Sequence, residues 1–130
     1  MELKHLLSRT RILANGGNLS RQAAMEHLKC TTAAEVLAGA MYACLTSPED
    51  FDAAMITAVN HSGRSSAVGA VAGAILGAAL GEEALPEFYL ECLEPVETLR
   101  TLADDLRQGC PMGKRAMLFD DTWDHKYVQG

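Results

Sequence analysis

The chain has few aromatic residues: Phe, Trp and Tyr make up 5% of its 130 residues, whereas hydrophobic residues as a whole make up 48%. A core of this composition must be built from Ala, Leu, Val, Met and Gly, which favours closely packed helices. No stretch alternates apolar and polar residues with a period of two, so the sequence predicts no β-strand. A chain of this length has room for one hydrophobic core and therefore for one domain.

Basic residues are also too few for some classes of partner. The net charge of -6 argues against a nucleic-acid partner, because phosphate neutralisation needs clustered Lys and Arg. The longest apolar stretch, residues 67–80, is too short for a bilayer span, which needs about 20 residues. The four cysteines form no Cys-x-x-Cys pair and are interpreted as free thiols rather than disulfides or zinc ligands. We therefore expect a cytoplasmic protein without nucleic-acid or membrane partners.

Helix-start signals recur along the chain, each a hydroxyl side chain before an apolar run or a proline at the first helical turn. They occur at Ser20, Thr32, Ser47, Pro86 and Pro95. The signal at Thr32 is strengthened by Glu35, which completes a capping box. The sequence thus predicts an all-α orthogonal helical bundle. We expect a single helical domain over residues 1–109, with an aromatic-containing tail, residues 110–130, packed on it.

A polar loop followed by an apolar helix, residues 60–80, is the stretch most typical of a functional site. The helix contains glycines at positions 69, 73 and 77, which fall on one stripe and allow another backbone to approach closely. Because residues 67–80 are all apolar or glycine, we expect this helix to be buried all round. The stripe would contact neighbouring helices of the same chain, or a second copy in a homodimer.

The polar loop is a candidate anion site, made of Asn60, His61, Ser62, Gly63, Arg64, Ser65 and Ser66. Backbone N–H groups at the start of a helix favour an anion, and Arg64 adds a planar fork of donors suited to phosphate. The alternative is that Ser65 or Ser66 is an ordinary N-cap and that Arg64 is solvated or ion-paired. A serine nucleophile is disfavoured, because the chain has no Gly-x-Ser-x-Gly elbow. We expect no catalytic residue in the loop.

The phrase Asn60-His61-Ser62-Gly63, followed by glycines at 69 and 73, resembles the metal loop of the ADP-ribosylglycohydrolase family. The resemblance continues upstream over residues 35–60 and downstream over residues 81–106, and what is present resembles the carboxy-terminal half of family members. In the family this loop carries two aspartates that help to hold a pair of magnesium ions. Here Arg64 and Ser66 stand at those positions, and a guanidinium cannot ligate a cation.

The resemblance therefore implies a protein with the fold of part of this family and without its metal cofactor. We expect a catalytically inactive relative, a pseudoenzyme, whose loop binds ADP-ribose or phosphate or which acts in assembly. The expected partners are a second copy of the chain, a separately encoded amino-terminal half, or an ADP-ribose-like ligand. The alternative is an active ADP-ribosyl hydrolase whose metal site is completed by a partner chain.

Overall fold

A computed structural model describes residues 3–16 and 18–108 of the chain. Within these residues the structure is all-α, as predicted, and contains no strand. The seven α-helices are α1 (Leu3–Gly16), α2 (Arg21–Leu28), α3 (Ala33–Thr46), α4 (Phe51–Val59), α5 (Ser65–Leu80), α6 (Glu87–Glu91) and α7 (Val96–Gln108). A short 3₁₀ turn, Glu82–Ala84, follows α5. None of the helices in this part of the chain has the length and apolar composition needed to cross a membrane.

Two of the predicted helix starts are confirmed by their caps. The Ser20 hydroxyl accepts a hydrogen bond from the Ala23 N–H at 3.1 Å. The capping box of α3 is complete, with Thr32 Oγ1 accepting from Glu35 N–H and Glu35 Oε1 accepting from Thr32 N–H at 3.0 Å. Both satisfy N–H groups that a helix leaves without partners at its start.

The predicted start of α4 at Ser47 is wrong. Ser47 is the C-cap of α3 and is buried, so it belongs to the end of the preceding helix. The cap of α4 is Asp50, whose carboxylate oxygen accepts from the Ala53 N–H at 3.0 Å. Asp is as good a capping residue as Ser, and its position three residues later moves the helix start to Phe51.

The first of the two compact units into which the chain divides spans Met1–Leu90. In it α3 is central and packs against α1, α4 and α5. The helices approach closely because the buried side chains are small, and a Cβ atom added at Gly39 would lie 2.5 Å from Cys30 Sγ. Ala38, Ala40 and Ala43 are all fully buried on α3. The core is therefore built as the scarcity of aromatic residues indicated.

The glycine-rich helix α5 is not buried all round, contrary to the prediction. Val68, Gly69, Ala72 and Leu76 are buried, whereas the face that includes Ala70, Ala74 and Ala78 is exposed. The three stripe glycines also differ: a Cβ at Gly69 would meet Val59 Cγ1 at 2.9 Å, and one at Gly77 would meet nothing within 4 Å. The prediction was wrong because an apolar run only shows that the helix has no charged face. Small alanine side chains can be exposed to solvent at little cost.

The second unit, Glu91–Gly130, contains α7. This helix has apolar residues at helical spacing, and none of them is buried; Leu99 is 45% and Leu106 is 62% exposed. The domain boundary expected at 109/110, the predicted tail of residues 110–130 and Cys110 lie outside the described residues. The prediction about the tail therefore stays a prediction. Cys30, Cys44 and Cys92 are free thiols.

Candidate functional site

Residues 60–64 connect α4 to α5, and Ser65 and Ser66 are the first two residues of α5. The whole stretch, residues 60–66, is called the loop below, and it packs on the segment that joins α2 to α3. Gly63 is seated directly on this segment: an added Cβ would lie 2.4 Å from Lys29 O and 2.7 Å from Cys30 O. The next residue, Arg64, donates its backbone N–H to Cys30 O at 2.9 Å. Only glycine allows the two backbones to come this close, which explains the residue type at position 63.

The segment that receives the loop has an unusual backbone. Lys29 and Cys30 have φ angles of 66° and 53°, in the left-handed region that non-glycine residues seldom adopt. Each such residue costs on the order of 1 kcal/mol, which the surrounding structure must offset. Burial of the Cys30 side chain, which is fully inaccessible, and the bond from Arg64 N–H to Cys30 O both contribute to that compensation.

Glu26, in the last turn of α2, bonds twice to the loop. Its Oε1 atom accepts hydrogen bonds from the backbone N–H and from the hydroxyl of Ser62, both at 2.7 Å. The Ser62 hydroxyl, and then its N–H group, lower the pKa of the Glu26 carboxyl below its ordinary value, because both bonds favour the charged form. The donors of Ser62 are thus engaged within the protein.

The His61 ring also bonds within the loop. Its Nε2 atom lies 2.7 Å from Ala58 O, and its Nδ1 atom lies 3.0 Å from the Gly63 backbone nitrogen. A single neutral tautomer satisfies both contacts, with Nε2–H donating to Ala58 O and Nδ1 accepting from Gly63 N–H. Because both ring nitrogens are engaged, His61 is not placed to activate a serine hydroxyl, and the structure holds no serine–histidine pair in this loop.

Two further loop side chains bond to backbone carbonyls. Asn60 Nδ2 donates to Ile56 O at 2.6 Å, and the Ser65 hydroxyl donates to His61 O at 3.1 Å. Ser65 is therefore not the N-cap of α5, and neither is Ser66. The N-cap is Arg64, which makes no side-chain capping bond.

The donors left free by these bonds are concentrated at the start of α5. The Arg64 side chain is exposed and has no hydrogen bond or ion pair with any described residue. The Ser66 side chain is exposed, and the N–H groups of Ser66 and Ala67 have no partner among the described residues. A guanidinium beside two free N–H groups at the positive end of a helix is an arrangement that attracts an anion. Of the six candidate residues with side chains, Arg64 and Ser66 are the two whose side chains make no hydrogen bond among the described residues.

Comparison of the sequence with models of known protein families gives a match over most of the chain. The model of the ADP-ribosylglycohydrolase family matches residues 2–116. The chain belongs to the ADP-ribosylglycohydrolase family. The match extends beyond residues 35–106, which carry the resemblance described above, on both sides. No curated protein and no solved structure matches the chain.

The loop does not fit the magnesium pair that family membership implies. Residues 60–66 contain no carboxylate, and the carboxylate that contacts them, Glu26, has one oxygen engaged by Ser62. Asp52 of α4 accepts a hydrogen bond from the Tyr89 hydroxyl at 2.7 Å. Across residues 3–16 and 18–108, no three His, Cys, Asp or Glu side chains are grouped so that they could hold a metal ion. Hard divalent cations need several oxygen ligands, which these residues do not supply.

Three residues that shape the loop could not be identified from the sequence: Glu26, Lys29 and Cys30. Glu26 contacts a residue 36 positions away, and nothing in the sequence around it differs from an ordinary exposed helix face. The left-handed backbone at Lys29 and Cys30 lacks the usual signal, which is Gly or Asn at the end of a helix. Gly63 was the available clue, because it indicates a close approach without naming the partner.

Proposed function

We propose that this member of the ADP-ribosylglycohydrolase family lacks hydrolase activity and uses the start of α5 to bind a phosphate group of an ADP-ribose-like ligand. The observation that carries the proposal is the exposed, unpaired Arg64 guanidinium next to the free N–H groups of Ser66 and Ala67. Two parallel donors on Arg64 suit a phosphate, and the helix dipole adds a favourable field.

The absence of hydrolysis is proposed from the chemistry of the same positions. Arg64 and Ser66 replace the two family aspartates, and a guanidinium has no lone pair to offer a cation. Its positive charge also repels a divalent ion at this place. The fixed charge of Arg64 is thus proposed to attract the phosphate group without a metal ion.

Calorimetric titration of ADP-ribose, and separately of inorganic phosphate, into the wild type and Arg64→Ala tests the binding proposal. We expect heat of binding with the wild type and its loss in the variant. Arg64→Lys keeps the charge and loses the planar fork, so its affinity should be intermediate. Arg11→Ala, which removes an exposed arginine of α1, controls for the change in net charge. Absence of heat with the wild type would contradict the proposal.

An assembly role is a second proposal, supported by the apolar surface that α4 and α5 expose. Ile56 is 54% and Val59 is 42% exposed, and the stripe of α5 ends in open space at Gly77. A homodimer or a separately encoded amino-terminal half would bury this surface. Light scattering that gives a monomeric mass at micromolar concentration would exclude the homodimer.

The alternative of an active enzyme requires a partner chain that brings the missing ligands. The pure chain, incubated with magnesium and an ADP-ribosylated substrate, should release no ADP-ribose under either proposal. Release of ADP-ribose on addition of a separately encoded amino-terminal half would support the alternative, and continued absence of release would support the inactive relative. We also propose a cytoplasmic location, in keeping with the free thiols of Cys30, Cys44 and Cys92, and cell fractionation tests it.

A further inference from the structure

Glu26 is the one side chain from outside residues 60–66 that bonds to the loop, within the part of the chain that the structure describes. One oxygen, Oε1, receives both Ser62 donors at 2.7 Å. Hydrogen bonds to a charged acceptor are roughly twice as strong as neutral ones. Glu26 and Ser62 are both exposed, so this pair adds little to the core and acts mainly on the conformation of the loop.

The residues after Ser62 show what this pair controls. Gly63 is seated on the carbonyls of Lys29 and Cys30, and Arg64 donates its N–H to Cys30 O. Three consecutive residues are therefore held against α2 and the segment that follows it. The free donors at Arg64, Ser66 and Ala67 come directly afterwards, so their direction depends on how residues 62–64 are held.

We propose that Glu26 is the positioning residue of the anion site. By accepting both donors of Ser62, it fixes the turn from which Arg64 and the first N–H groups of α5 point outward. It does not touch the ligand, and the ligand itself rests on the proposed function given above. Two charges near the loop affect anion binding: the carboxylate of Glu26 opposes an anion, and the cation of Lys29, directly after α2, favours one.

A pair of Glu26 variants separates positioning from charge. Glu26→Gln and Glu26→Ala both remove the negative charge, but only glutamine keeps an oxygen that can accept from Ser62. Inorganic phosphate, followed by calorimetry, should bind Glu26→Gln about fivefold or more tightly than Glu26→Ala, because two hydrogen bonds hold the loop in the former. Equal affinity of the two variants would overturn the proposal.

Amide hydrogen exchange tests the same role without a ligand. The N–H groups of Ser62 and Arg64 should exchange about tenfold faster in Glu26→Ala than in Glu26→Gln. Asp50→Ala is the control, because the Asp50 carboxylate also accepts a backbone donor, the N–H of Ala53, at the opposite end of α4 from the loop. It should destabilise α4 and leave exchange at Ser62 unchanged.

The two readouts distinguish failure of the positioning role from failure of the proposed function. A wild type that binds no phosphate, with exchange at Ser62 still dependent on position 26, would reject the anion site alone. Exchange that is the same in Glu26→Ala and Glu26→Gln would reject the positioning role, whatever binds at Arg64. Ser62→Ala, which removes one of the two donors, should give intermediate exchange at Arg64.

Discussion

Replacement of Gly63 by alanine should be among the most damaging single-methyl changes in this protein. Gly63 does not have a positive φ, so alanine is compatible with its backbone and the whole effect comes from contacts. The new Cβ would lie 2.4 Å from Lys29 O, 2.7 Å from Cys30 O and 2.9 Å from Cys30 Cβ. Two of these three atoms are backbone carbonyl oxygens, which cannot rotate away as a flexible side chain can.

The expected magnitude follows from these contacts. Overpacking costs about 1–3 kcal/mol, and retreat of the loop would also break the hydrogen bond from Arg64 N–H to Cys30 O, worth about 1 kcal/mol. We therefore expect Gly63→Ala to lower the free energy of unfolding by about 3 kcal/mol. Gly77→Ala is the matched control: its Cβ meets nothing within 4 Å, and helix propensity should raise the free energy by about 1 kcal/mol.

Urea unfolding followed by circular dichroism measures both variants under the same conditions. We expect the two midpoints to fall on opposite sides of the wild-type midpoint, with free energies of unfolding that differ by about 4 kcal/mol. A Gly63→Ala variant within about 0.5 kcal/mol of the wild type would refute the close packing of the loop on Lys29 and Cys30. If the free energy of unfolding has the same slope against urea concentration in both variants and the wild type, the difference in stability lies in the native state.

Three further predictions concern local contacts. Asp50→Ala removes the cap of α4 and should lower the free energy of unfolding by about 1 kcal/mol, measured by urea denaturation. Bonds from Thr31 and Thr32 lower the pKa of Glu35 from its ordinary value of 4.5 to about 2. Their stabilisation is complete above pH 4.5 and is lost as the pH falls towards 2, so Glu35→Gln should weaken the pH dependence of melting there. Burial, and then the bond to Asp52 and its charge, raise the pKa of Tyr89 to about 12. The neutral Tyr89 side chain therefore contributes stability that is complete below pH 10 and is lost as the pH rises through 12. In a titration followed by tyrosinate absorbance, Tyr89→Phe should lose the ionisation step near pH 12.

The features predicted correctly from the sequence are those with local causes. Ser20 and the Thr32–Glu35 box act on N–H groups within three residues, so the sequence around them contains the whole interaction. The helix start predicted at Ser47 was wrong because a second capping residue, Asp50, lies about one turn further on. Ser47 is buried at the end of α3, and Asp50 caps α4 instead. Residue types alone do not show which of two caps is used.

The candidate loop was located from its residues, but its internal bonding depends on distant parts of the chain. Arg64 and Ser66 could be identified because they are cationic and polar residues at the start of an apolar helix. The bond from Ser62 to Glu26 and the contact of Gly63 with Lys29 follow from how the end of α2 packs against the loop between α4 and α5. Such pairings arise from tertiary contacts between segments more than 30 positions apart, which no local pattern records.

The most direct test is calorimetric titration of ADP-ribose into the wild type and Arg64→Ala in the presence of a chelator of divalent cations. We expect saturable heat with the wild type under these conditions and none with the variant. Binding that disappears with the chelator, or that is the same in both proteins, would contradict an anion site built on Arg64.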